Sequence, residues 1–168
     1  AGYAALPANA VDLVTGNIVL EGGAQVVDKG VSGVGGSFVV GGTTAASVAL
    51  ASLAVVRGTL DIAHNDALQT VSLPALAAVG ALDVEDNASL SSLDAPALAS
   101  VGGDLVLRQN ATGGAPLGLG LDALLEIGGS ATFVDNPGLA TGIVAVVVER
   151  VQDAGFGVAG RVTISGNG

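Results

Sequence analysis

The sequence predicts a mainly β fold: a single right-handed β-solenoid with one strand per coil and a helix inserted before the last strand. Three observations carry this prediction. The segment Gly58-Thr-Leu-Asp-Ile-Ala-His-Asn65 recurs as Gly80-Ala-Leu-Asp-Val-Glu-Asp-Asn87 and as Gly103-Asp-Leu-Val-Leu-Arg-Gln-Asn110, so its asparagines lie 22 and 23 residues apart. A fixed period of that length means stacked coils, each burying its apolar face only when a neighbour covers it. The 27 glycines among 168 residues follow no collagen period, which places tight turns at regular points. Hydrophobic residues make up 50% of the chain with only three Phe, one Tyr and no Trp, so the core consists of thin aliphatic layers.

Residues 1–14 fit no repeat and are expected to form an N-terminal cap or arm, with Tyr3, Leu6, Val11 and Leu13 as covering side chains. Residues 15–168 form one repeat domain. Seven strand-like triplets follow in order: Ile18 to Leu20, Phe38 to Val40, Leu60 to Ile62, Leu82 to Val84, Leu105 to Leu107, Ala131 to Phe133 and Val162 to Ile164. Alternation turns the first and third residues inward and the middle one outward. Parallel stacking then gives a continuous wall and a solenoid of seven coils. A register shifted by one residue would bury Asp61 and Asp83, so Leu60, Ile62, Leu82, Val84, Leu105 and Leu107 are expected inside and Asp61, Asp83 and Val106 exposed.

The rest of each coil repeats too. Leu68, Val71, Leu73, Leu76 and Val79 match Leu90, Leu93, Ala95, Leu98 and Val101, with Pro74 matching Pro96 at positions that need no ladder N–H. In the first two coils Gly22-Gly23 and Gly41-Gly42 stand where later coils carry a polar residue and asparagine. Residues 111–120 read as a bulging coil rich in turn residues. Thr141 is the expected N-cap of a helix over Gly142 to Ala154, with Ile143, Val147, Val151 and Ala154 on its apolar face and Gly155 as its stop. The last strand is Arg161 to Ser165.

Fifteen acidic against five basic side chains give a net charge of -10, which disfavours nucleic acid and anionic membrane surfaces as partners. The longest apolar run, Ala45 to Val56, contains Ser47 and Ser52 and ends at Arg57, too short to insert across a membrane. Without cysteine there is no disulfide and no thiolate chemistry. One histidine and no cysteine make no zinc constellation, and a histidine-based triad would depend wholly on His64. Gly155-Phe-Gly157-Val-Ala-Gly160 matches a dinucleotide-binding pattern but closes a helix instead of opening one. No enzyme is expected. Asn65, Asn87, Asn110, Asn136 and Asn167 read as an inward structural ladder, which makes the glycosylation sequons at Asn87 and Asn110 chance matches.

The outward face of the wall carries two columns. The central one reads Val19, Val39, Asp61, Asp83, Val106, Thr132, Thr163, and the next reads Glu21, Gly41, Ala63, Glu85, Arg108, Val134, Ser165. Like charges directly opposite on adjacent strands repel. Either solvent and Arg108 relieve the carboxylates, or a cation such as Ca²⁺ is shared by Asp61, Asp83, Glu85 and Asp104 as candidate ligands.

The repeated Gly-x-Leu-x-Ile-x-x-Asn, the Leu-x-x-Leu-x-x-Pro-x-Leu-x-x-Val-Gly-Gly that follows it, and the ending Asn136-Pro137-Gly138-Leu139, helix, Val162 to Asn167 resemble a known family. It is the receptor L-domain type of leucine-rich-like right-handed β-helix, found in the ectodomains of insulin and growth-factor receptors, in fungal cell-wall proteins and in bacterial surface proteins. The chain departs from the bacterial members in lacking their cysteines, with Gly142 near the position of the first. The resemblance implies a secreted or cell-surface module, and Ala1 fits the first residue after removal of a signal peptide. Two functions are expected: recognition or adhesion toward a protein or glycan, and, as the alternative, a structural subunit that assembles end to end into a filament or surface layer.

Overall fold

The computed structural model describes residues 13–23 and 28–168, so the capping role of Tyr3, Leu6 and Val11 lies outside the described residues. In chain order the elements are β1 Leu13–Val14, β2 Ile18–Glu21, β3 Gly33–Val34, β4 Phe38–Gly41, β5 Ser47–Ala49, β6 Val55–Ala63, β7 Thr70–Ser72 and β8 Ala78–Glu85. They continue with β9 Ser92–Asp94, β10 Ser100–Val101, β11 Leu105–Arg108, β12 Gly118–Gly120, β13 Glu126–Ile127 and β14 Ala131–Val134. The helix α1 Thr141–Asp153 precedes β15 Gly157–Val158 and β16 Val162–Ser165.

The fold is a parallel β-solenoid with three walls. The first wall stacks β2-β4-β6-β8-β11-β14-β16, the seven triplets read from the repeats, in their expected order. A second wall runs β1-β3-β6-β8-β10-β13-β15, with the long strands β6 and β8 serving both, and a third runs β12-β9-β7-β5. The strand expected in each coil is that of the first wall; short strands flatten the other two, with Pro74 and Pro96 in the turns that lead out of the third. All seven expected rungs stack in this first wall, and between them the chain makes about five turns of solenoid, with α1 in the last connection. Leu13 and Val14, expected in the cap, pair with Gly33 and Val34 as the first rung of the second wall.

Each inner column is one apolar side chain repeated from coil to coil. Leu60, Ile62, Leu82, Val84, Leu105 and Leu107 are buried as expected, and so are both matching sets from Leu68 to Val79 and from Leu90 to Val101. Burial of a leucine or valine contributes roughly 1.5–3 kcal/mol, and with so few aromatics these columns are the main source of stability.

One corner of every coil depends on a residue in the left-handed region. Gly22, Gly42, His64, Asp86, Gln109, Asp135 and Gly166 occupy that corner with φ of 61, 58, 57, 52, 54, 56 and 66°. The sharp reversal ends the strand and aims the next side chain into the coil. That next position is Asn65, Asn87, Asn110, Asn136 and Asn167 in the later coils. In the second coil it is Thr43, not Gly42, because Phe38 pairs with Leu60; the expected alignment of Gly41-Gly42 is therefore corrected by one residue. Thr43 donates its N–H and its hydroxyl to Asn65 Oδ1, each at 2.9 Å.

The helix also differs in detail. Ala140 is the N-cap, and Thr141 makes no cap but donates its hydroxyl to the Gly168 carbonyl at 2.9 Å. Val144, Val147 and Val151 face the core while Ile143 is exposed. Successive spacings of four drift about 40° around a helix, whereas three then four return to one stripe, so Val144 displaces Ile143 from the packed face. Gly155, with φ of 83°, stops the helix as expected, one residue past the C-cap Ala154.

Candidate functional site

The outer face of the first wall is the surface where charged groups converge. Register places Asp61 opposite Asp83, Asp83 opposite Val106, and Glu85 opposite Arg108, as the two columns predict. Asp61, Asp83 and Val106 are half-buried, not exposed: neighbouring strands about 4.8 Å away on both sides shield the middle of a wall. Arg108 is committed to Glu85 at 2.6 Å. Val39 and Val106 flank the Asp61–Asp83 pair along the column and provide no counter-charge.

One oxygen of Asp83, Oδ1, is buried without a hydrogen-bond partner. Burial first, then the charges of Glu85 and Asp61, push the Asp83 carboxyl up to about 6, with Arg108 opposing. Burial and Glu85 also raise Asp61, against His64. The wall thus carries a carboxylate pair whose ionised form is poorly satisfied.

Asp104 is engaged by the next coil. It lies at the corner before β11, where its carboxylate accepts from the Ser130 N–H at 2.7 Å. This is one step of a second polar column: Asn17 accepts from the Ser37 N–H at 2.8 Å, Ser37 Oγ from Thr59 at 3.1 Å, and Ser130 Oγ from Arg161 at 3.3 Å. The corner uses Asp104 to satisfy the next coil's backbone. Among the described residues, no three His, Asp or Glu side chains are grouped so that they could hold a metal ion.

The asparagines form the inward ladder expected of them. Asn65, Asn87, Asn110 and Asn136 are fully buried, each carboxamide joining its own coil to both neighbours. Asn87 shows the pattern: Nδ2 donates to the Ile62 and Glu85 carbonyls and to Asn110 Oδ1, while its own Oδ1 accepts from the N–H and Nδ2 of Asn65. With its carboxamide bonded and enclosed, Asn87 is no glycan acceptor in the folded chain, and the same holds for Asn110. His64 stands on an exposed corner, 3.4 Å from Asp86. The glycines at 155–160 leave α1 and enter β15, the reverse of a dinucleotide loop.

Sequence reasoning missed two shallow hollows, because each gathers residues from distant coils. One of about 220 Å³ lies between β12 and α1, lined by Leu119, Leu121, Ile143, Val146 and Arg150. The other, of about 290 Å³, is lined by Gln69, Ser89, Ser91 and Gly113. No helix among the described residues is long and apolar enough to cross a membrane. No protein-family model matches the chain, and no curated protein or solved structure matches it either.

Proposed function

We propose that this chain is a non-enzymatic recognition or adhesion module, secreted or held at a cell surface, whose flat first wall docks a protein or glycan. The observation that carries this reading is the uncompensated Asp61–Asp83 pair at the centre of that wall. Arg108 is already taken by Glu85, so a partner that brings a cationic or strongly donating group to the pair relieves repulsion built into the free protein. The repeat pattern shared with receptor L-domains supports the same reading, as does the placement of His64 on an open corner and not in a cleft.

The test compares the wild-type chain with an Asp61→Ser/Asp83→Ser variant on a glycan array and against a displayed library of extracellular protein domains. The expected outcome is a saturable ligand whose binding falls at least tenfold in the variant while the melting temperature is kept or raised. Ligands that bind both proteins equally would refute the assignment of this face.

A further inference from the structure

We propose that β12 takes up an added strand: the C-terminal end of an extended peptide, seated between β12 and α1 with one aliphatic side chain in the hollow there and its terminal carboxylate on Arg150. This site uses none of the residues of the acidic wall, so it stands or falls apart from the function proposed above.

The third wall passes hydrogen bonds from coil to coil in one fixed pattern. Leu50 donates to Ser72 at 3.0 Å, Leu73 to Asp94 at 2.8 Å and Ala95 to Gly120 at 2.8 Å. At the start of each strand Thr70 donates to Ala46 at 3.3 Å, Ser92 to Gln69 at 3.1 Å and Gly118 to Ser91 at 2.9 Å. Carried one coil further, the pattern calls for a strand that accepts from the Leu121 N–H and donates to the Leu117 carbonyl. Leu119 stands between them. Because Gly118 and Gly120 bond to β9, and alternate residues of a parallel strand face alternate neighbours, the N–H and C=O of Leu119 point the same way as those two groups. Among the described residues no strand meets them: β12 is the last strand of its sheet, because the following coil places α1 where the other coils place a strand. The edge therefore arises inside the chain, from the exchange of a strand for a helix between β14 and β15.

Two neighbouring edge groups are engaged, and they bound the opening. The Leu117 N–H donates to the Gly138 carbonyl at 2.8 Å, and Arg150 Nη1 donates to the Leu121 carbonyl at 2.8 Å. From Leu117 to Leu121 a strand advances roughly 13 Å, which admits about four residues of extended chain.

Side chains lack the same neighbour. In the inner column of the third wall Val48, Val71 and Leu93 are fully buried, whereas Leu119 is only half-buried. It opens into the hollow of about 220 Å³, with Leu121, Ile143, Val146 and Val147 as the apolar lining and Arg150 at one end. Val146 is 54% exposed there. A cavity of about 150 Å³ is enough for benzene, so the hollow accommodates one aliphatic side chain of an added strand.

Arg150 fixes the occupant's chemistry and direction. With Nη1 committed to Leu121, its Nη2 lies 4.0 Å from Asp122 Oδ1, the outer limit of an ion pair, and the Asp122 side chain is 77% exposed. Such a pair contributes little, whereas a carboxylate brought in by a docked strand makes charge-assisted hydrogen bonds to the guanidinium. Arg150 binds at the C-terminal end of β12, so a peptide whose last carboxylate meets it runs parallel to β12. All pairings of the third wall are parallel, and the peptide continues that ladder by strand addition. The net charge of -10 disfavours peptides with further acidic residues. A contact of this size falls below a standard stable interface, so binding is weak and reversible.

A peptide library displayed with free C-termini, screened against the 168-residue chain, tests this, with fluorescence anisotropy on the selected peptides. Sequences with an aliphatic residue among the last three should be enriched, and amidating the C-terminus of a selected peptide should weaken binding at least tenfold. Asp122→Asn should strengthen binding of the free acid severalfold. Val146→Glu, on an exposed position, should weaken it at least tenfold at an unchanged melting temperature, which decides the matter even where Arg150→Gln, expected to weaken it likewise, loosens α1. In amide NMR spectra the bound peptide should protect the Leu119 and Leu121 N–H groups from exchange. The Asp61→Ser/Asp83→Ser variant should bind the peptide as the wild type does, which separates this site from the wall. No enriched sequence, equal binding of acid and amide, wild-type binding by Val146→Glu, unchanged exchange at Leu119, or loss of binding in the Asp61→Ser/Asp83→Ser variant would overturn the inference.

Discussion

Replacing Asn87 by alanine tests the ladder where it is most enclosed. The carboxamide makes five hydrogen bonds: from Nδ2 to Ile62 O at 2.8 Å, Glu85 O at 2.9 Å and Asn110 Oδ1 at 3.0 Å, and to Oδ1 from Asn65 N at 3.2 Å and Asn65 Nδ2 at 3.1 Å. Alanine leaves these five partner groups without that bond. An unmade buried bond costs about 1–3 kcal/mol, and the lower end applies because the vacated space admits a water, so the loss should be about 5 kcal/mol. A domain of this size is stable by roughly 5–15 kcal/mol, so the variant approaches the unfolding threshold at room temperature. Asn167→Ala is the internal comparison: it is only half-buried and its side chain makes three such bonds, one donated to Phe133 and two accepted from Asn136. It should cost about half as much. Urea titration followed by far-ultraviolet circular dichroism measures both. An Asn87→Ala loss below about 1 kcal/mol, or no larger than that of Asn167→Ala, would refute the view that the ladder ties the coils together.

Three further outcomes are expected. Gln109 sits in the left-handed region with φ of 54°, so Gln109→Gly should gain up to about 1 kcal/mol and Gln109→Val should lose about 1 kcal/mol in the same titration. Asp83 is raised above its unfolded value, so its contribution to stability is fully present below about pH 3.8 and is lost as pH rises through about 6. Solvent damps this at a half-exposed carboxyl, but Asp83→Asn should melt higher than the wild type at pH 7.5, with the gap closing toward pH 4; equal melting curves at both pH values would exclude a raised Asp83. In the helix, Val144→Ala should cost about 2 kcal/mol and Ile143→Ala under about 0.5 kcal/mol, the reverse of what the expected apolar face implies.

The repeats carried most of the fold. Register follows from them because a strand's side chains alternate: with Leu60 and Leu82 inside, Asp61 and Asp83 have to lie outside and opposite each other. The asparagine ladder was legible for the same reason, since a polar residue at a fixed place in every coil has fixed neighbours. The degenerate coil was not, because Gly41-Gly42-Thr43 offers two alignments, and only the pairing of Phe38 with Leu60 brings Thr43 to Asn65.

By itself, then, the sequence determined the solenoid class, the inner columns and the stacked carboxylates, all of which depend on period and composition. Tertiary structure decided what depends on direction and distance across coils. Asp104 is four residues before Arg108, yet its carboxylate accepts from the Ser130 N–H in the next coil. Val144 rather than Ile143 packs because the stripe is set by the coil beneath the helix. A period names which residues recur, but a side chain's partner lies one coil away in space and some twenty residues away in the chain, and only the stacked backbone brings the two within reach.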